Sequence, residues 1–208
     1  MIDAAEHYAK RMAEFATERH EPGGIAFVGT SHVELFPTDE LLPGARIINR
    51  GIISDRIGFS ERGILRRMHE SIFGLAPRVV LLESGGNDLG ELWRHGTPQV
   101  AEIEAGYRRL VAEIRAGLPE IPLCITGVMP ACGRFAGLTA HLQPFNEVVR
   151  RIAADFEAEF IDMYPELVDA DGLLCENLTT DGLHLSRAGY ELWAERLRAY
   201  LSSLAPAR

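Results

Sequence analysis

The chain has 208 residues, about the length of one domain where domains run ~100–200 residues, and 47% of them are hydrophobic against 25% charged, which excludes a disordered chain or a fibre. With 21 lysines and arginines against 30 aspartates and glutamates the formal charge is −9, so the overall field repels phosphate backbones and anionic lipid surfaces, and nucleic acid is not an expected partner. Three cysteines lack the CxxC or paired-histidine spacing of a zinc site or disulfide framework, and neither a basic-then-apolar leader nor a run of ~18 apolar residues is present, so a reducing, cytoplasmic location without a membrane span is expected.

In chain order, Ala5, Tyr8, Met12, Phe15 and Ala16 share one helical face, and Pro22-Gly23-Gly24 ends the segment, so residues 1–20 are read as an N-terminal packing helix. That face covers the domain's own sheet or meets a second copy in a homo-oligomer, and the first role is the simpler. Ile25-Ala26-Phe27-Val28 is long enough for a buried strand and too short for a helix. Arg46-Ile47-Ile48-Asn49 suits a second strand, Ile57 to Phe73 a helix with Ile64, Leu65, Met68 and Ile72 along one stripe, and Arg78-Val79-Val80-Leu81-Leu82 a third strand. Val100, Ile103, Tyr107, Leu110, Val111 and Ile114 keep helical spacing before the strand Ile121–Thr126. Phe145 to Phe156 forms the next helix, Phe160-Ile161-Asp162 a short strand, and Tyr190, Trp193, Leu197 and Leu201 the final helix. Helices alternating with apolar strands predict one α/β domain over residues 1–208, built on a parallel sheet of about five strands covered on both faces.

In such a sheet functional groups gather at the carboxyl ends of the strands. Gly29-Thr30-Ser31-His32 follows the first strand, Arg50-Gly51 the second and Ser84-Gly85-Gly86-Asn87-Asp88 the third, while Asp181-Gly182-Leu183-His184 enters the final helix. A serine after a strand is most often a helix cap. At a strand-to-helix turn it also presents a hydroxyl and its own N–H to the same space, as a nucleophile with an oxyanion donor requires. His184, with Asp181 three residues before it, is the candidate base and its orienting partner. His32 and His141 are rival bases. Metal ligation is disfavoured because no further histidine or cysteine cluster accompanies the pair. The Gly51 N–H and the Asn87 amide suit the remaining oxyanion donors, or equally a plain turn glycine and an Asx turn. Gly85-Gly86 also invites a phosphate-loop reading, but neither GxxxxGK[ST] nor GxGxxG occurs.

Taken together, Gly29-Thr30-Ser31, Gly51, Gly85-Gly86-Asn87-Asp88 and Asp181-Gly182-Leu183-His184 resemble the four ordered blocks of the SGNH hydrolases, the GDSL esterase/lipase family, over residues 25–190. The resemblance implies a flavodoxin-like three-layer α/β/α sandwich and a serine hydrolase that needs no metal or other cofactor. It implies Ser31 as nucleophile and first oxyanion donor, Gly51 and Asn87 as the other donors, His184 as base and Asp181 as its partner. Thr30 stands where the family generally has aspartate, which leaves the triad intact. The short chain and the Gly85–Asp88 loop are also similar to the branch of acetylhydrolase subunits that cleave platelet-activating factor. The expected reaction is hydrolysis of a small carboxylic ester, with short acyl or acetyl groups first, through a Ser31 acyl-enzyme. Acyl transfer at the same site and a non-catalytic binding module are the alternatives.

Overall fold

Five short segments form the strands β1 (Ile25–Gly29), β2 (Ile47–Gly51), β3 (Val79–Glu83), β4 (Leu123–Thr126) and β5 (Glu159–Ile161) of one sheet. All neighbours run parallel in the order β2-β1-β3-β4-β5, with Ile25 opposite Ile47 on one side and Val79 on the other. This is the flavodoxin-like strand order, whose switch point lies between β1 and β3. The computed structural model describes residues 3–58 and 61–204. Around the sheet stand α1 (Ala4–Thr17), α2 (Ser31–Glu34), α3 (Thr38–Leu41), α4 (Met68–Ser71), α5 (Gly86–His95), α6 (Val100–Gly117), α7 (Thr139–Asp155), α8 (Tyr164–Leu167) and α9 (Arg187–Ser203).

Alternate residues of each strand point to opposite faces, so the central strands feed two cores. On one face Ala26, Val28, Val80, Leu82 and Ile125 meet Tyr107 and Leu110 of α6 and Phe145 and Val149 of α7. On the other, Ile25, Phe27, Leu81 and Cys124 meet Phe36 and, from α9, Trp193 and Leu197. Trp193 stacks edge-on with Phe27 and Phe36 at centroid distances of 5.4 and 5.3 Å, and its indole N–H donates to Thr126 Oγ1 at 3.1 Å. The three layers are those the alternation predicts. At the amino end, the Asp3 carboxylate accepts the Ala5 and Glu6 N–H groups and starts α1, which turns Phe15 into the body of this same chain. No helix among the described residues is long and apolar enough to cross a membrane.

The helix expected over 57–73 is broken. Its residues 59 and 60 lie outside the described residues, and the rest forms a 3₁₀ turn (Ile64–Arg66), α4, and a second 3₁₀ turn beginning at Phe73. The physical cause is a chain reversal: Ile64 and Leu65 donate back to the carbonyls of Arg56 and Ile57 at 2.9 and 3.0 Å. Gly58 and Gly63 both adopt φ 129°, and a Cβ on Gly63 would lie 2.4 Å from the Gly58 Cα, a contact only two glycines permit. The apolar stripe still faces inward, with Ile64, Met68 and Ile72 buried in the core. In the opposite direction, the glycine-bearing turn expected from Ser84 to Gly90 ends at Gly85, and Gly86–His95 forms helix α5.

Candidate active site

The nucleophile candidate stands at an elbow. Gly29 closes β1, Thr30 is extended, and Ser31 is the first residue of α2, so its N–H has no partner within the helix and none among the described residues. Thr30 is held from below: its hydroxyl donates to Glu83 Oε2 at 2.8 Å and its N–H to the same oxygen at 3.4 Å. Glu83 ends β3, the strand beside β1, and is fully buried. Burial raises its carboxyl to about 7 against the partial opposition of the two Thr30 donors.

The loop before α9 brings the other two members. His184 Nε2 lies 3.1 Å from Ser31 Oγ, and its Nδ1 lies 2.8 Å from Asp181 Oδ2. The second carboxylate oxygen of Asp181 accepts the N–H groups of Leu183 and His184 at 3.0 and 2.8 Å, which folds the three-residue span into a tight turn around its own acid. Partial burial pushes the Asp181 carboxyl up, but the His184 and Leu183 N–H groups and the His184 ring outweigh it and hold the acid at about 2. An ionised Asp181 therefore favours the proton on Nδ1 and leaves the Nε2 lone pair toward Ser31.

His32 is no base for Ser31. Its ring is buried, its Nε2 donates to the carbonyl of Leu183 at 3.1 Å, and burial followed by the nearby His184 lowers it to about 4. The neutral ring thus ties α2 to the loop that carries His184. His141 lies in the first turn of α7 and makes no hydrogen bond to Ser31.

The expected oxyanion donors divide. Asn87, in the first turn of α5, donates one amide hydrogen of Nδ2 to the Asp55 carbonyl at 2.8 Å and keeps the other. The Gly51 N–H is not free, because it donates to Asn49 Oδ1 at 2.9 Å while Asn49 Nδ2 donates to the Val33 carbonyl at 2.6 Å. Gly51 serves packing instead: a Cβ there would sit 2.0 Å from the Glu34 nitrogen, so α2 can lie against β2 only over a glycine.

A cavity of about 40 Å³ opens between Ser31, Glu83 and Asn87 on its polar side and Met129, Phe135 and Leu142 on its apolar side. Sequence reasoning passed over Glu83, whose signal is a lone carboxylate closing the otherwise apolar run Val79-Val80-Leu81-Leu82. It passes over Asp55 as well, and it reads the Arg66-Arg67 pair as part of a solvated helix face, whereas the break in that helix turns Arg67 inward and buries it fully.

Comparison with known proteins gives the family and the fold. The profile of the GDSL-like Lipase/Acylhydrolase family matches residues 34–192, a span that begins three residues after Ser31 and includes Asn87, Asp181 and His184. The chain is 27% identical over 186 residues to platelet-activating factor acetylhydrolase IB subunit alpha1 of Bos taurus, covering 86% of this chain and 75% of that one. Its fold is similar to that of a GDSL-like lipase from Bacteroides thetaiotaomicron, with TM-score 0.77, 20% identity and coverage of 94% and 97%. It is also similar to the fold of Axe2, an acetylxylan esterase from Geobacillus stearothermophilus, with TM-score 0.69, 17% identity and coverage of 92% and 100%. The match of the family profile over most of the chain means that this protein belongs to the GDSL-like lipase/acylhydrolase family.

Proposed function

We propose that the protein hydrolyses carboxylic esters of short acyl groups, acetyl first, through an acyl-enzyme on Ser31. The observation that carries this reading is the continuous relay from Ser31 Oγ through both nitrogens of His184 to Asp181, at 3.1 and 2.8 Å. As Ser31 Oγ attacks the ester carbonyl, its proton passes to His184 Nε2, and the imidazolium that forms faces the ionised Asp181. The carbonyl oxygen takes up the negative charge against the Ser31 N–H and the second amide hydrogen of Asn87. His184 returns the proton to the leaving alcohol, and then takes one from water as the water attacks the acyl-enzyme. The size of the cavity supports a small acyl group: 40 Å³ has room for about three waters at ~10–15 Å³ each.

Two assays test the reading together. Hydrolysis of p-nitrophenyl esters is expected to fall steeply from acetyl to longer chains, and a phosphonofluoridate is expected to label Ser31 alone. Ser31→Ala is expected to abolish both hydrolysis and labelling. Label on Ser84 or Ser186, with Ser31→Ala still active, overturns the assignment.

A further inference from the structure

A second set of buried polar groups lies under the site. Arg67 is fully buried between the 3₁₀ turn Ile64–Arg66 and α4, and each of its five N–H groups has an acceptor within reach. Nε and Nη2 reach Asp55 Oδ2 at 2.8 and 2.7 Å, Nη1 reaches the Arg50 carbonyl at 2.9 Å and Ser71 Oγ at 2.7 Å, and Nη2 also reaches the Gly29 carbonyl at 3.2 Å. Gly29 is two residues before Ser31, Arg50 ends β2 with Gly51, and the Asp55 carbonyl accepts from Asn87. One guanidinium therefore fixes the carboxyl end of β1, the carboxyl end of β2 and the loop against which Asn87 rests.

We infer that Arg67 and Asp55 are positioning residues that hold the Asn87 amide in register with Ser31. The alternative, that the pair serves stability alone, is the weaker account. A buried ion pair is often no more stabilising than well-packed apolar residues of the same volume, because both charges lose their water. Burial in fact raises the Asp55 carboxyl, with Arg67 opposing, and Asp55 Oδ1 has no partner among the described residues. An apolar pair would fill the space but would leave the Gly29 and Arg50 carbonyls and the Asp55 loop without a common anchor. Lysine cannot replace the fork, since a single ammonium does not span these acceptors at once.

The inference rests on the proposed hydrolysis only where it assigns Asn87 to the reaction, and two readouts separate the two. The variants are Asp55→Asn, which keeps the backbone carbonyl that Asn87 uses, and Arg67→Lys, each checked for native circular dichroism. In the ester assay each is expected to lower kcat about 10- to 100-fold with KM within about threefold, as a misplacement near 1 Å does. In an Asn87→Ala background the same substitutions are expected to cost less than threefold, because the group they position is gone. Independently, the Asn87 Nδ2 amide signals in a ¹⁵N NMR spectrum are expected to shift and broaden in both variants. Losses that multiply in full in the Asn87→Ala background, or Asn87 amide signals unchanged in a folded Asp55→Asn, overturn the positioning role. Should Arg67→Lys fail to fold, Asp55→Asn carries the test. Displaced Asn87 signals in a protein whose ester hydrolysis survives Ser31→Ala would overturn the proposed function and leave the positioning of Asn87 standing.

Discussion

At the scale of single residues the site depends on which hydrogens are already in use. Asn87 has two amide hydrogens and Asp55 takes one, so the carboxamide is braced and still has a donor for an oxyanion. Asn87→Ala is expected to lower kcat by roughly 10²–10³ with a much smaller change in KM, because the lost donor matters once charge develops on the carbonyl oxygen. Steady-state kinetics on p-nitrophenyl acetate check this, and an unchanged kcat removes Asn87 from the site. The same accounting explains what could be read in advance. The meeting of Ser31, Asp181 and His184 was legible because it depends on side-chain chemistry and on a spacing of three residues visible in the sequence. Gly51 misled because its role turns on a single N–H, and nothing in Arg46-Ile47-Ile48-Asn49-Arg50-Gly51 says that the Asn49 side chain folds back to claim it. His32 resolves in the same way: the sequence offers an imidazole beside the serine, and only burial and the Leu183 carbonyl make it a neutral tether.

At the scale of elements, strands were easier to place than helix boundaries. The three central strands β1, β3 and β4 are buried throughout, in runs whose apolar character residue type alone reveals, whereas helix starts near the site depend on backbone turns. The glycines at 85 and 86 looked like a loop, yet Gly85 at φ 106° caps α5 and Gly86 begins it, so a helix brings Asn87 to the site. The elbow β1–α2 is the most constrained element. The two hydrogen bonds of the Asn49 side chain join β2 to α2, and the Glu34 carboxylate at the end of α2 accepts the Ile53 N–H at 2.6 Å and approaches His7 of α1 at 3.0 Å. Gly51→Ala would force a Cβ into the Glu34 backbone and push α2, with Ser31, off the sheet. Overpacking of this kind typically costs about 1–3 kcal/mol, and the displaced serine adds a fall in kcat of at least about tenfold. Chemical denaturation and kinetics on the same variant check both. A variant with unchanged midpoint and unchanged kcat would mean that α2 does not depend on this approach.

At the scale of the whole molecule, the buried groups Glu83, Asp88 and His32 weigh most on how stability depends on pH, and Asp55, also raised by burial, acts in the same direction as the two carboxyls. Burial raises Glu83 from 4.5 to about 7 and Asp88 from 3.8 to about 7, and burial lowers His32 from 6.5 to about 4. A carboxyl raised by folding contributes stability that is fully present below its unfolded value and is lost as pH rises through its folded value. A lowered histidine runs the other way: its contribution is present above 6.5 and is lost as pH falls toward 4. Between pH 4.5 and 6.5 folding therefore takes up two protons at the carboxyls and releases one at His32. Between 6.5 and 7 only the uptake remains. These groups together make the protein less stable at pH 8 than at pH 5, with Glu83 and Asp88 each contributing on the order of 3 kcal/mol to the difference. Glu83→Gln keeps an acceptor for the Thr30 hydroxyl but can no longer ionise. Its melting temperature relative to the natural protein is expected to rise from pH 5 to pH 8 by about 5 °C or more, given ~2–4 °C per kcal/mol for a chain of this size. Calorimetric scans of both proteins at pH 5, 6.5 and 8 measure that difference. A gap that stays constant across the three would mean that Glu83 is already ionised in the fold at pH 5, and that its hydrogen bonds from Thr30 outweigh the cost of burying its charge.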